Sequence, residues 1–186
     1  MNGRLTMLCH ASTGAVRAAI FPRDEPLEPR GHAQAAALSS HLGGVDVAWT
    51  SPSLRACQTA EALRLDAAVE PLLGDIDLGR WAGHSLAEIE SRKPDAVRAW
   101  TTQADAAPHG GESIDDLLER VAPWLDARAR DGRRAMAVTH AAVVRAAIIL
   151  AIGARPLSFW RIDIAPLCRV DLRAGSGVWR LRSIRP

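Results

Sequence analysis

The stretch Arg4-Leu-Thr-Met-Leu-Cys-His-Ala-Ser-Thr13 decides the fold. Its first part, Arg4–Leu8, is a short apolar run that predicts a buried strand, and His10 follows directly. The same order recurs late in the chain, where the predicted strand Ala135–Thr139 leads into His140. Two strands that each deliver a histidine at their carboxyl ends indicate an α/β sheet with a polar site at one edge.

The rest of the chain alternates strands and helices. Ser-x-x-acid patterns at Ser85 and Ser113 have the form of capping boxes and predict helix starts there. The other predicted helices are Gly31–Leu42, Ser53–Leu63 and Ala141–Ile152, and the other predicted strands are Val45–Thr50, Ala67–Pro71, Cys168–Leu172 and Val178–Ser183. This alternation predicts a three-layer αβα sandwich with a largely parallel central sheet, built as a single domain over residues 1–186.

Three polar residues converge at one edge of this predicted sheet. Ligands of such sheets bind at the carboxyl ends of the strands. His10 and His140 lie directly after their strands, and Arg55 lies one turn beyond Val45–Thr50. The sequence therefore predicts a site with two imidazoles and a guanidinium.

Composition argues against several classes of protein. The 23 basic and 21 acidic residues give a formal net charge of only +2, so no nucleic-acid partner is expected. Cys9, Cys57 and Cys168 are widely spaced and predict reduced thiols rather than a disulfide framework. The apolar run 141–152 is too short to span a membrane. We expect a cytoplasmic protein without a membrane partner.

The three converging residues suit phosphoryl transfer. An imidazole can attack phosphorus and hold it as a covalent intermediate. A guanidinium stabilises the charge of the transferring group, and Arg55 also lies in the first turn of a helix, where free N–H groups attract anions. A loop carboxyl must protonate the leaving oxygen, and the segment 75–83 supplies Asp75 and Asp77.

With these motifs in series, the chain resembles the histidine phosphatases, the superfamily that includes phosphoglycerate mutases. The segments that carry the resemblance are Cys9-His-Ala-Ser-Thr13, Pro26-Leu-Glu-Pro-Arg-Gly-His-Ala-Gln-Ala35, Ser51-Pro-Ser-Leu-Arg-Ala-Cys-Gln-Thr-Ala60, Asp75-Ile-Asp-Leu-Gly-Arg-Trp-Ala-Gly83, Gly110-Gly-Glu-Ser113 and His140. They span nearly the whole chain in the family's order.

The resemblance implies a phosphoglycerate mutase-like fold and a role for each site residue. His10 would be the nucleophile, Arg55 a phosphate clamp, His140 a transition-state donor and Asp75 the acid. It implies a small phosphorylated metabolite as partner and no metal or other cofactor. Thr13 and Trp81 are further candidates for contact with the substrate.

Two departures from the family pattern qualify this assignment. Cys9 stands where the family has an arginine that binds phosphate, and loss of such a donor costs about 2–4 kcal/mol of transition-state stabilisation. We therefore allow for weakened activity. Asp75 is one methylene shorter than the family's glutamate, so Asp77 is an alternative acid. We hypothesise that Arg17 or Arg23, both in the loop after His10, replaces the lost clamp.

Other interpretations stay open at the level of sequence. A catalytically degenerate phosphate-binding or regulatory module is the main alternative, and a phosphomutase and a metal site built from His10, His140 and Asp75 are less favoured. A thiol phosphatase is rejected, since Ala15 stands where its loop would need arginine. Glu112 either stabilises a helix N-terminus or lines the pocket. A homodimer is neither indicated nor excluded.

The sequence also predicts the effect of one proline and the exposure of four histidines. Pro123 interrupts an apolar helical pattern and is expected to kink or end that helix. Four histidines are expected at the surface, two of them in loops near the pocket: His32, His41, His84 and His109.

Overall fold

A computed structural model describes residues 3–185, and six of its strands form one sheet. The strands are β1 (Arg4–Cys9), β2 (Val47–Thr50), β3 (Ala67–Val69), β4 (Arg134–Thr139), β5 (Arg169–Gly175) and β6 (Val178–Arg185). The helices are α1 (Gly14–Arg17), α2 (Pro29–Leu38), α3 (Leu54–Ala62), α4 (Leu86–Arg92), α5 (Pro94–Thr102), α6 (Ile114–Ala129) and α7 (Ala141–Ile152). Short 3₁₀ turns cover Ser39–His41, Pro71–Leu73, Gly79–Trp81 and Pro156–Arg161.

The sheet has the strand order β3-β2-β4-β1-β5-β6. Strands β3, β2, β4 and β1 run parallel, whereas β5 pairs antiparallel with β1 and β6 antiparallel with β5. The prediction of a largely parallel sheet between helices is confirmed. The crossover between β1 and β4 places these two strands side by side, so the histidines that follow them become neighbours.

Helices cover the two faces of the sheet unequally. Leu5, Met7 and Cys9 point to one face, where they join the largest buried cluster together with residues of α6 and α7. Leu8 points to the opposite face and packs with α3. Helices α2 and α3 lie against each other on that face, and α3 contacts β2 and β4. Because side chains alternate along β1, this strand contributes residues to two separate hydrophobic cores.

The two predicted capping boxes are present, whereas the helix does not end at Pro123, which was one of the two outcomes expected for that residue. The Ser85 and Ser113 hydroxyls each accept a hydrogen bond from the third helical N–H, and the backbone N–H of each serine donates to the carboxylate of that third residue. Helix α6 runs on through Pro123 to Ala129. Pro123 and Glu119 are both exposed, so water can satisfy the carbonyl that proline leaves unbonded, while the apolar side of the helix stays buried.

Two helices were not anticipated from the sequence. Helix α1 is a single turn after Thr13, and α5 follows Lys93 with proline at its first position. Among the described residues, no helix is long and apolar enough to cross a membrane.

Candidate active site

His10 lies at the end of β1 with only 5% of its surface exposed. Its Nδ1 is 2.8 Å from the carbonyl oxygen of Ala11, which can only accept, so Nδ1 carries the proton. The lone pair is then on Nε2, toward which Arg55 Nε donates at 3.3 Å. Burial lowers the pKa of His10, and the nearby Arg55 charge lowers it further, against the opposing bond to Ala11. The ring is held neutral with its free nitrogen directed into the site.

Arg55 is 3% exposed and joins three separate segments. Besides His10, its guanidinium donates from Nη1 to the Arg23 carbonyl at 2.6 Å and from Nη2 to Asp75 Oδ2 at 2.8 Å. Helix α3 begins one residue earlier, so Arg55 reaches the site from a rigid element. The guanidinium stands between the proposed nucleophile and the proposed acid.

Asp75 is ionised in the ligand-free site. Burial raises the pKa of this carboxyl, but interactions with His140, Arg55 and His10, with the Arg55 hydrogen bond, leave the pKa below its usual value. Because both histidines are neutral near pH 7, Arg55 is the charged partner of Asp75 there. Asp75 Oδ2 also lies 3.4 Å from His140 Nδ1. A carboxylate in this state cannot donate a proton until its surroundings change.

His140 precedes α7 and is 1% exposed. Burial lowers its pKa to about 3. Its ring centroid is 5.2 Å from that of His10. Its Nε2 lies 2.7 Å from Ser51 Oγ and 2.9 Å from Ser53 Oγ. These two serines were missed in the sequence analysis, although both stand in the motif that carries Arg55.

His10 and His140, at the carboxyl ends of β1 and β4, are buried behind Arg55 and Asp75, which line a surface cleft. This cleft is shallow, with a volume of about 380 Å³. Its polar wall consists of Arg23, Asp24, Ser53, Arg55, Asp75 and Asp77. The sequence-based prediction that His10, Arg55, Asp75 and His140 lie close together agrees with this geometry, while their roles remain predictions.

The segment that carries Asp75 is held by an ion pair. Arg120 donates to both oxygens of Glu112, at 2.6 and 2.9 Å, and to the backbone carbonyls of Leu72 and Asp75 at 2.7 and 3.2 Å. Glu112 in turn accepts from the backbone N–H of Asp77 at 3.1 Å. Glu112 therefore binds the acid segment, and Ser113 caps the helix instead.

The structure places three predicted substrate contacts away from the cleft. Arg17 is paired with Glu28 at 2.8 Å, and its side chain is 76% exposed. Thr13 is fully buried and donates to Glu25 at 3.0 Å. Trp81 is 5% exposed and packs against Phe21.

Two further residues for which the sequence made a prediction, His109 and Cys9, are buried. His109 was expected at the surface but is fully buried, because its ring packs against Trp81 and Trp100, and its Nδ1 accepts the Gly111 N–H at 3.1 Å. Cys9 is 2% exposed, and burial raises the pKa of its thiol to about 12. A thiol with this pKa is a packing group rather than a nucleophile at neutral pH.

Arg23 differs from Arg17 in its position. It lines the cleft, its carbonyl binds Arg55, and its guanidinium lies against Gly83. A side chain on Gly83 would collide with this guanidinium, and Gly83 also has a φ of +84°. No group of three or more His, Cys, Asp or Glu side chains within residues 3–185 is arranged to hold a metal ion.

Comparison with known proteins adds family information to this geometry. A profile described as "Histidine phosphatase superfamily (branch 1)" matches residues 5–185. A bifunctional protein of Mycobacterium tuberculosis is 32% identical over 184 residues, covering 92% of this chain and 50% of that protein. The chain thus spans half the length of this relative.

Two further relatives carry functional names. Phosphoserine phosphatase 1 of Hydrogenobacter thermophilus is 31% identical over 150 residues, covering 74% of this chain and 69% of that protein. The solved structure of a mycobacterial glucosyl-3-phosphoglycerate phosphatase in complex with VO3 has a TM-score of 0.86 and 25% identity. That match covers 97% of this chain and 98% of the other.

Proposed function

The chain belongs to the histidine phosphatase superfamily (branch 1), and on that premise we propose that it hydrolyses small phosphomonoesters through a phosphohistidine on His10. The observation that carries the proposal is the tautomer of His10: its Nδ1 is bonded to the Ala11 carbonyl, so the unprotonated Nε2 faces Arg55. Relatives of the chain are named as phosphatases of phosphoserine and glucosyl-3-phosphoglycerate, which supports a small phosphorylated metabolite as the substrate class.

In the first step, His10 Nε2 attacks phosphorus and the bond to the leaving oxygen breaks. Negative charge on the transferring oxygens is stabilised by Arg55, which already reaches Nε2 at 3.3 Å. His140 and Ser53 lie beside it and supply neutral donors, because burial keeps the pKa of His140 at about 3. In the second step, water attacks phosphorus, the bond from His10 Nε2 to phosphorus breaks, and the Asp75 carboxylate left by the first step takes the proton of the water as phosphate is released.

Asp75 is the proposed proton donor to the leaving oxygen. Its carboxylate is ionised while Arg55 and the histidines surround it. An incoming phosphate brings like charge and competes for Arg55, and both effects raise the pKa of Asp75. We infer that substrate binding itself protonates the acid. Asp77 also lines the cleft, but Asp75 is the carboxyl that contacts Arg55, at 2.8 Å, and His140, at 3.4 Å, so Asp75 is the better-placed carboxyl.

Arg23 is the proposed substitute for the arginine that the family resemblance places at position 9. It lines the cleft within the loop that follows His10, and its backbone is already bonded to Arg55. Arg17 is engaged with Glu28 on the surface. Of the two candidates from the sequence, the geometry favours Arg23.

The direct test is hydrolysis of p-nitrophenyl phosphate in the presence of chelator, comparing the parent with His10→Ala. His32→Ala is a matched control, because His32 is exposed on α2. We expect the parent and the control to hydrolyse the ester and His10→Ala to lose activity. Equal activity in His10→Ala would contradict the phosphohistidine mechanism, and loss in chelator would contradict metal independence.

A phosphate-binding module without turnover is the second candidate function. The observation that favours it is that Arg55 is already hydrogen-bonded within the protein, since its Nε, Nη1 and Nη2 all have protein partners. Calorimetric binding of phosphate by a parent that hydrolyses none of a panel of small phosphomonoesters would establish this alternative.

A further inference from the structure

Four arginines lie in register across four neighbouring strands. Arg134 of β4 is opposite Arg4 of β1, Arg4 is opposite Arg173 of β5, and Arg173 is opposite Arg180 of β6. All four side chains are exposed. Like charges directly opposite one another destabilise a sheet, so this row carries a folding cost that needs a reason.

The row lies on the face of the sheet opposite the one that α6 and α7 cover. Side chains at Arg4, Thr6 and Leu8 point away from α6 and α7, since Leu5 and Met7 fill that core. On the face of Arg4, the principal helix contacts are those of α3 with β2 and β4, which leaves β5 and β6 open. An open cavity of about 370 Å³ lies between this face and the loop 43–45.

Five arginines line that cavity: Arg4, Arg134, Arg169, Arg173 and Arg182. Arg134 pairs with Asp46 at 3.0 Å. The remaining four have no carboxylate partner within residues 3–185.

Among residues 3–185, Asp171 is the one carboxylate that lines the cavity, and it already has hydrogen-bond partners. It accepts from Thr6 at 2.8 Å and from Ser183 at 2.9 Å, and it is also paired with Arg185. The cavity therefore keeps a surplus of positive charge, although the whole chain has a formal net charge of only +2.

We refer to this site as the arginine-lined cavity. We propose that it binds a small oligophosphate, namely the diphosphate or triphosphate group of a metabolite. Four unpaired guanidiniums favour a ligand that carries more negative charge and more acceptor oxygens than one orthophosphate. Arginine binds phosphate through paired N–H groups, and neighbouring strands are about 4.8 Å apart, so two guanidiniums can grip adjacent phosphates. The wall formed by the loop 43–45 makes the site concave and suits a small ligand.

The arginine-lined cavity is separate from the proposed catalytic cleft. Arg4 and Arg134 are the first residues of β1 and β4, whereas His10 and His140 follow the last residues of the same strands. Six strand residues at about 3.3 Å each place the two sites roughly 20 Å apart. The proposal therefore does not depend on hydrolysis at His10.

The test uses calorimetric titration with imidodiphosphate, a diphosphate analogue that resists hydrolysis. The key variant is Arg4→Gln/Arg173→Gln, and Arg92→Gln/Arg98→Gln is the control with the same change of charge at exposed positions. Arg55→Gln reports on the catalytic cleft. We expect the dissociation constant to rise at least tenfold in the first variant and to stay within twofold of the parent in the other two.

Folding is checked by hydrolysis of p-nitrophenyl phosphate and by the melting temperature at low salt. The Arg4→Gln/Arg173→Gln variant should keep full activity and melt no lower than the parent, because it loses a repulsive pair. Equal affinity in this variant and the parent, or a comparable loss in Arg55→Gln, would overturn the proposal. Orthophosphate that binds Arg55→Gln, which lacks the proposed catalytic clamp, as tightly as imidodiphosphate does would also overturn it. A duplex oligonucleotide is titrated at about 150 mM added salt, which is roughly physiological ionic strength. If it binds more tightly than imidodiphosphate under these conditions, the small-ligand assignment is overturned.

Discussion

Arg55 Nη2 donates to Asp75 Oδ2 at 2.8 Å, so the proposed phosphate clamp and the proposed acid neutralise each other in the ligand-free site. The two residues come from different motifs, 20 positions apart, and both lie within the neighbourhood of His10. A phosphate that binds Arg55 must weaken this ion pair. Binding of the substrate and protonation of the acid are therefore linked through one guanidinium.

Asp75→Asn is expected to slow hydrolysis according to the leaving group. Without an acid, an alkyl phosphate should lose about 10²–10³-fold in kcat. p-Nitrophenyl phosphate should lose far less, because its leaving oxygen needs little protonation. Asp77→Asn is the control and should show no such dependence on the leaving group. Steady-state kinetics with both esters measure this dependence on the leaving group. A stronger dependence in Asp77→Asn than in Asp75→Asn would identify Asp77 as the acid.

Arg23→Gln is expected to weaken phosphate binding, whereas Arg17→Gln is not. A hydrogen bond to a charged group contributes about 1.5–3 kcal/mol, which corresponds to a roughly 10- to 100-fold change in affinity. Competitive inhibition by orthophosphate measures this change in both variants. An unchanged inhibition constant in Arg23→Gln would show that the position-9 arginine has no substitute in this loop.

Gly111→Ala is expected to disturb the acid segment. A Cβ at Gly111 would collide with the backbone carbonyl of Asp77, so the segment 75–77 must shift. A loss of about 1–3 kcal/mol in the free energy of unfolding is expected from such overpacking, together with a lower kcat. Gly43→Ala is the control, because its added Cβ meets nothing within 4 Å. Urea unfolding and kinetics of Gly111→Ala that match those of Gly43→Ala would contradict this placement.

Stability is expected to fall as the pH drops below about 6.5, the ordinary value for histidine. Burial lowers the pKa of His10 and His140, the latter to about 3, so between these values the unfolded chain binds more protons than the folded chain. Each such proton contributes a slope of up to about 1.4 kcal/mol per pH unit.

Urea unfolding at pH 7.5, 6.5 and 5.5 measures this slope. The contribution is fully present above pH 6.5 and is lost progressively on acidification, and His140→Gln should reduce the slope by up to one proton. A free energy of unfolding that stays constant from pH 7.5 to 5.5 would contradict the buried neutral histidines.

Local sequence signals predicted most of the fold. The helix Ala141–Ile152 has the predicted bounds, and both capping boxes form because their signature depends on residues three apart. The continuation of α6 past Pro123 was not predictable, since burial of its apolar side is a tertiary effect. The burial of His109 depends likewise on distant tryptophans.

The candidate site was only partly visible in the sequence. His10, Arg55, Asp75 and His140 follow motif positions and could be named. The bonds of Ser51 and Ser53 to His140 join residues 87 to 89 positions apart, and no local pattern encodes them. The sequence offered Arg17 or Arg23 as the replacement clamp, with Arg17 named as the substrate contact, whereas the structure pairs Arg17 with Glu28 and places Arg23 at the cleft.

By itself, the sequence determined the alternation of strands and helices and the residue types that follow each strand, because hydrophobic period and capping act over a few residues. Only the tertiary structure decided the protonation of the site. The direction of each pKa shift depends on burial and on charges from other segments, such as the Arg55 guanidinium beside Asp75. It also decided that arginines from four strands form one row, because register between strands is set by packing of the whole sheet.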